Sequence, residues 1–112
     1  MAPTFAERRL ELHEHVGCAI RARRLELGVG LKSLARAAGV SPSHLSRVEN
    51  GKARPSAELL ERVAERLGMD TEGTLAMAGF LPEDLKHAFC HMPRATLDLV
   101  REALANDAAG EA

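Results

Sequence analysis

The 112-residue chain has the length of one domain, with 46% apolar residues, 28% charged residues and a formal net charge of −1. That composition excludes a disordered chain, and no apolar run nears the roughly 18–20 residues that span a bilayer. The first fifteen residues contain no apolar h-region, so no signal peptide is read there. Two cysteines, Cys18 and Cys90, are too few for a disulfide scaffold, and a reduced, cytoplasmic setting is expected.

There is no Trp or Tyr and only three Phe, which argues against an aromatic platform for single-stranded nucleic acid. The small net charge hides a strong asymmetry. Residues 16–68 carry ten basic and five acidic side chains, a net of +5. Residues 69–112 carry three basic and eight acidic ones, a net of −5. A basic middle of this kind suits a polyanion-binding module, although chance clustering on a solvated surface gives the same sum.

The pattern predicts helices throughout. Thr4 and Glu7 have capping-box spacing, and Phe5, Leu12, Val16, Ala19, Ile20 and Leu27 then recur at helical intervals. This first helix should end at Gly28, with a break expected near Gly17. A second helix spans Leu31 to Ala38, with Leu34, Ala35 and Ala38 inward, and stops at Gly39. Ser41 caps a third that starts on Pro42 and ends near Glu49. The fourth starts at Ser56 and buries Leu59, Leu60, Val63, Ala64 and Leu67 before Gly68. A short fifth begins at Asp70 or Thr71 and ends at Gly79. Pro82-Glu83-Asp84 opens a sixth, and Pro93 opens a seventh that reaches about Ala105.

The segment 31–50 is the most informative. Two short helices joined only by Gly39-Val40-Ser41 make a helix-turn-helix arrangement. Leu45 and Val48 lie on one face of the third helix. Ser43, Ser46, Arg47 and Asn50 lie on the other, at i, i+3, i+4 and i+7. Base edges in a major groove are read by hydrogen bonds, and such a face supplies them.

The stretch from Ile20 to Leu67 resembles the lambda-repressor-like (Cro/CI-type, XRE) helix-turn-helix family. The matching features are Arg24, Leu27-Gly28, Leu34-Ala35, Gly39-Val40-Ser41, Leu45 to Lys52 and Pro55-Ser56. The resemblance implies an all-α fold: a five-helix helix-turn-helix domain with a short C-terminal helical extension. It implies base reading by Pro42, Ser43, Ser46 and Arg47. It implies phosphate contacts from His44, Asn50, Lys52 and Arg54, with main-chain N–H groups of the loop 51–54 beside them. Arg24 and Glu49 match a family ion pair that holds the third helix. Two positions depart from the pattern. Leu31 stands where the family often has a phosphate-binding Gln, so Lys32 or Ser33 is expected to replace that anchor. Pro42 offers no side-chain donor, so readout at the helix start is expected to be apolar.

The organisation expected is a helix-turn-helix domain over residues 1–79, a helical extension over 80–106 and a flexible tail over 107–112. Phe80, Leu81, Leu85, Phe89, Leu97, Val100 and Leu104 either finish the monomer core or mediate dimerisation. His87, Cys90 and His91, at i, i+3 and i+4, are metal-ligand candidates, and His13, His15 and Cys18 form a second cluster. The preferred reading is nevertheless solvated histidines, packed cysteines and no metal or cofactor. No phosphate loop or nucleophile–base set points to an enzyme. The function expected is a double-stranded DNA-binding transcription regulator. It would be a homodimeric repressor on a near-palindromic operator, away from membranes. The alternatives are an antitoxin, with residues 69–112 contacting a toxin, and an interaction module that has lost DNA readout; residues 80–106 are the candidate surface for a protein partner.

Overall fold

The computed structural model describes residues 12–110. Among them are seven helices and no strand: α1 (Leu12–Glu26), α2 (Leu31–Ala38), α3 (Pro42–Glu49), α4 (Ala57–Leu67), α5 (Thr71–Met77), α6 (Glu83–His91) and α7 (Pro93–Gly110). The chain divides after Phe80 into two compact units. No helix of the described residues is long and apolar enough to cross a membrane.

The first unit is built on one apolar cluster. Val16 and Ile20 of α1, Leu34, Ala35 and Ala38 of α2, Leu45 and Val48 of α3, and Leu59, Leu60, Val63 and Leu67 of α4 are all buried together. These are the inward stripes read from helical periodicity. Leu27 is a correction. It is 45% exposed, because α1 ends at Glu26 and the turn carries it off the helix face.

Local chemistry explains the boundaries. Ser41 and Ser56 accept the main-chain N–H of His44 and Leu59, each at 3.1 Å, and so cap α3 and α4. Asp70 caps α5 by accepting from the Gly73 N–H at 2.9 Å. The end of α2 requires a left-handed residue, and Gly39 supplies it at φ 74°. The N–H of Val40 then donates to the Ala35 carbonyl, and the chain reverses within three residues. Arginines complete two other ends. Arg62 Nη1 donates to the last carbonyl of α2, at Ala38, and Arg23 Nε to that of α4, at Leu67.

The expected break at Gly17 does not occur, and α1 runs unbroken from Leu12 to Glu26. The glycine serves packing. A Cβ built there would overlap the Val48 carbonyl oxygen and lie 3.0 Å from that of Glu49. The bare backbone of α1 thus rests on the last turn of α3. The capping box Thr4–Glu7 and Phe5 lie outside the described residues, as does the side chain of His13.

The second unit is the helix pair α6 and α7. Thr96 Oγ1 links them by donating to the Ala88 carbonyl at 3.1 Å. No residue of this unit through 107 is buried, so these helices do not finish a buried core. Helix α7 continues to Gly110, past the end expected near Ala105 and into the segment read as a flexible tail. Helix-forming alanines at 103, 105, 108 and 109 sustain it.

Candidate nucleic-acid interface

The site is the outward face of α3, and its position follows from what α3 buries. Leu45, Val48 and Glu49 are buried, which turns the opposite side of the helix to solvent. Pro42, Ser43, Arg47 and Asn50 are exposed, while His44 and Ser46 are partly buried. The four residues proposed to read bases therefore share the first turns of one short helix. Arg47, the longest of them, projects from the exposed side.

A buried ion pair fixes this helix to α1. Arg24 Nε donates to Glu49 Oε2 at 2.8 Å, and Arg24 Nη2 donates to Glu49 Oε1 at 2.9 Å. A third bond runs from Arg24 Nη1 to the Val29 carbonyl at 3.1 Å. The two side chains are 11% and 4% exposed, so little water screens the pair. The hydrogen bond to Glu49, with its Coulombic attraction, raises the Arg24 guanidinium above its ordinary pKa, against the opposing effect of burial. The charge stays in place across the working range of pH, and the planar fork sets the rotation of α3.

Part of the expected polar face is occupied internally. Asn50 Nδ2 donates to the Ser46 carbonyl at 2.9 Å and lies 3.4 Å from the Ser46 hydroxyl. Asn50 thus closes the end of α3 with one Nδ2 hydrogen, and a phosphate contact from it would use the second. The loop beyond it corrects a second expectation. The N–H groups of Gly51, Lys52 and Ala53 donate back to the carbonyls of Val48 and Arg47, at 2.8–3.3 Å. They finish the helix and do not face outward as phosphate donors. The exposed side chains of Lys52 and Arg54 are what this loop presents.

At the start of α2, Gly30 provides no side-chain cap. Leu31 is half-buried against the core, which explains an apolar residue where a polar anchor was expected. Lys32 and Ser33 beside it are exposed. Of the ten basic residues in 16–68, Arg23, Arg24 and Arg62 bind carbonyls or Glu49, while Arg21, Lys32, Arg36, Arg47, Lys52, Arg54 and Arg66 are exposed. Sequence reasoning missed the carbonyl-binding roles of Arg23 and Arg62. It also missed the contact of Gly17, for which a glycine in mid-helix was the available signal.

The metal candidates do not assemble as three ligands. Among the described residues no group of three or more His, Cys, Asp and Glu is arranged to hold an ion. The His87 and His91 rings approach each other, with centroids 4.0 Å apart and planes tilted by 35°. Cys90 is about 100° around the helix from His91 and does not join them. Both cysteines are exposed, contrary to the packed state expected, because neither lies on an inward stripe.

The helix-turn-helix family profile matches residues 20–73. The chain is 38% identical over 65 residues to an uncharacterized HTH-type transcriptional regulator of Mycobacterium tuberculosis, covering 58% of this chain and 46% of that one. It is 37% identical over 71 residues to the HTH-type transcriptional repressor RghR of Bacillus subtilis, covering 62% and 53%. The chain spans about half the length of these curated relatives. Among solved structures it is similar to the clp gene regulator ClgR from C. glutamicum, with 39% identity and a TM-score of 0.56 over 63% of this chain and 92% of that one. The chain belongs to the XRE-type helix-turn-helix family.

Proposed function

We propose that this protein is a sequence-specific double-stranded DNA-binding transcription regulator, and that α3 enters the major groove. The observation that carries this reading is the exposed face of Pro42, Ser43 and Arg47 on a helix clamped from behind by the buried Arg24–Glu49 pair. Arg47 donates to a guanine edge, Pro42 and Ser43 contact bases at the helix start, and Ser46 donates its hydroxyl hydrogen, which the contact accepted from Asn50 leaves free. Lys32, Ser33, His44, Asn50, Lys52 and Arg54 meet phosphates on either side of the groove. The relatives named as transcriptional regulators support this role, and RghR, named a repressor, supports repression. A cytoplasmic location follows from the same reading.

One recognition helix contacts few base pairs, so the protein acts as a homodimer on a near-palindrome. The second unit supplies the interface. Leu85, Leu97, Val100 and Leu104 are 36–45% exposed there, and a second copy would cover them. Selection from a random duplex library at near-physiological salt tests the whole proposal. An enriched palindrome with half-sites one helical turn apart, roughly 34 Å, is expected. Binding that only fades with salt and selects no sequence overturns it.

A further inference from the structure

We propose that His87 and His91 form a two-point chelate for a borderline-soft divalent metal ion, Zn²⁺ or Ni²⁺, on the exposed face of α6. The residues are one turn apart, at i and i+4, so both imidazoles rise from the same side of the helix. Their ring centroids are already 4.0 Å apart, with the planes 35° from parallel. Two nitrogens that share an ion each lie about 2.0–2.1 Å from it, and modest rotation of the two rings meets that requirement.

Three features of the surroundings favour a cation. Imidazole nitrogen is a ligand well matched to Zn²⁺ and Ni²⁺. Asp84 and Glu83 stand one turn before His87 on the same helix and place negative charge on that side; Glu83 also pairs with Lys86 at 3.3 Å. His91 is in the last turn of α6, where the helix dipole presents its negative end. Both histidines are exposed, so water completes the coordination shell and the ion is not stripped of it. Leu85 and Phe89 lie about 120–160° around α6 from the pair, so the chelate does not use that side of the helix.

Isothermal titration of the full-length chain, purified without an affinity tag and stripped of metal, tests this with ZnCl₂ and NiCl₂ separately. One saturable site per chain is expected. It should be lost in His87→Ala and in His91→Ala and kept in Cys90→Ser and His15→Ala. All four variants should keep the wild-type far-ultraviolet circular dichroism, since both histidines are exposed and His15 and Cys90 are outside the buried cluster. Absence of a saturable site in the wild type overturns the proposal. So does retention in either His87→Ala or His91→Ala, or loss in Cys90→Ser or His15→Ala, which would put the metal on other ligands.

Discussion

Arg24 and Glu49 are 25 residues apart in sequence and share two hydrogen bonds of 2.8 and 2.9 Å between α1 and the last residue of α3. Both side chains are almost fully withdrawn from water. Removing one partner strands the other charge in a low-dielectric setting, and that penalty exceeds the attraction lost. Glu49→Ala is therefore expected to destabilise the fold by about 3–5 kcal/mol, as read by urea denaturation. A loss below about 1 kcal/mol is what an exposed pair gives and would contradict the burial described.

Gly17→Ala sets two effects against each other. Alanine improves helix propensity by about 1 kcal/mol over glycine in mid-helix. The added methyl, however, would overlap the Val48 carbonyl oxygen, which is backbone and moves only with α3. Overpacking of this kind costs about 1–3 kcal/mol before any relaxation. The sum is expected to be destabilising, and denaturant titration decides the sign. A more stable Gly17→Ala protein would show that α1 and α3 are not in direct backbone contact.

Arg47 and Lys52 are expected to fail in different ways. Arg47→Ala should lose about 1–3 kcal/mol of affinity for a selected operator, confined to one base position in a panel of single-mismatch duplexes. Lys52→Ala should weaken all duplexes alike and lower the slope of log K against log salt by about one. If Arg47→Ala binds the operator as tightly as wild type, α3 is oriented differently in the groove.

Truncation after Gly79 removes α6 and α7 but none of the buried apolar cluster, which lies between Val16 and Leu67. The shortened chain is expected to keep its helical signal and cooperative unfolding. Light scattering should report a monomer for the shortened chain and, on the proposed function, a dimer for the chain that keeps α6 and α7. A dimeric truncation product would move the interface into the first unit.

The end of α2, both ends of α3 and α4 and the start of α5 were legible because each rests on short-range chemistry, whereas the end of α7 was not. Ser41, Ser56 and Asp70 are caps whose partners lie three residues away, and Gly39 and Gly68 stop helices by their own backbone freedom. The inward stripes were legible for the same reason, since Leu34, Leu45, Leu60 and Val63 reveal themselves by helical periodicity alone. The helix-turn-helix, and the face of α3 that carries Pro42, Ser43 and Arg47, were thus contained in local order. What needed the tertiary structure was every feature set by residues distant along the chain. Gly17 looks like a helix breaker until the Val48 carbonyl is seen against it, and Leu31 looks like a lost anchor until it is seen packed on the core. Arg23 and Arg62 look like solvent-facing or polyanion-binding charges until the carbonyls of Leu67 and Ala38 are found at their tips. Periodicity reports which side of a helix is apolar. It carries no record of which backbone, carbonyl or charge the folded chain brings to that side.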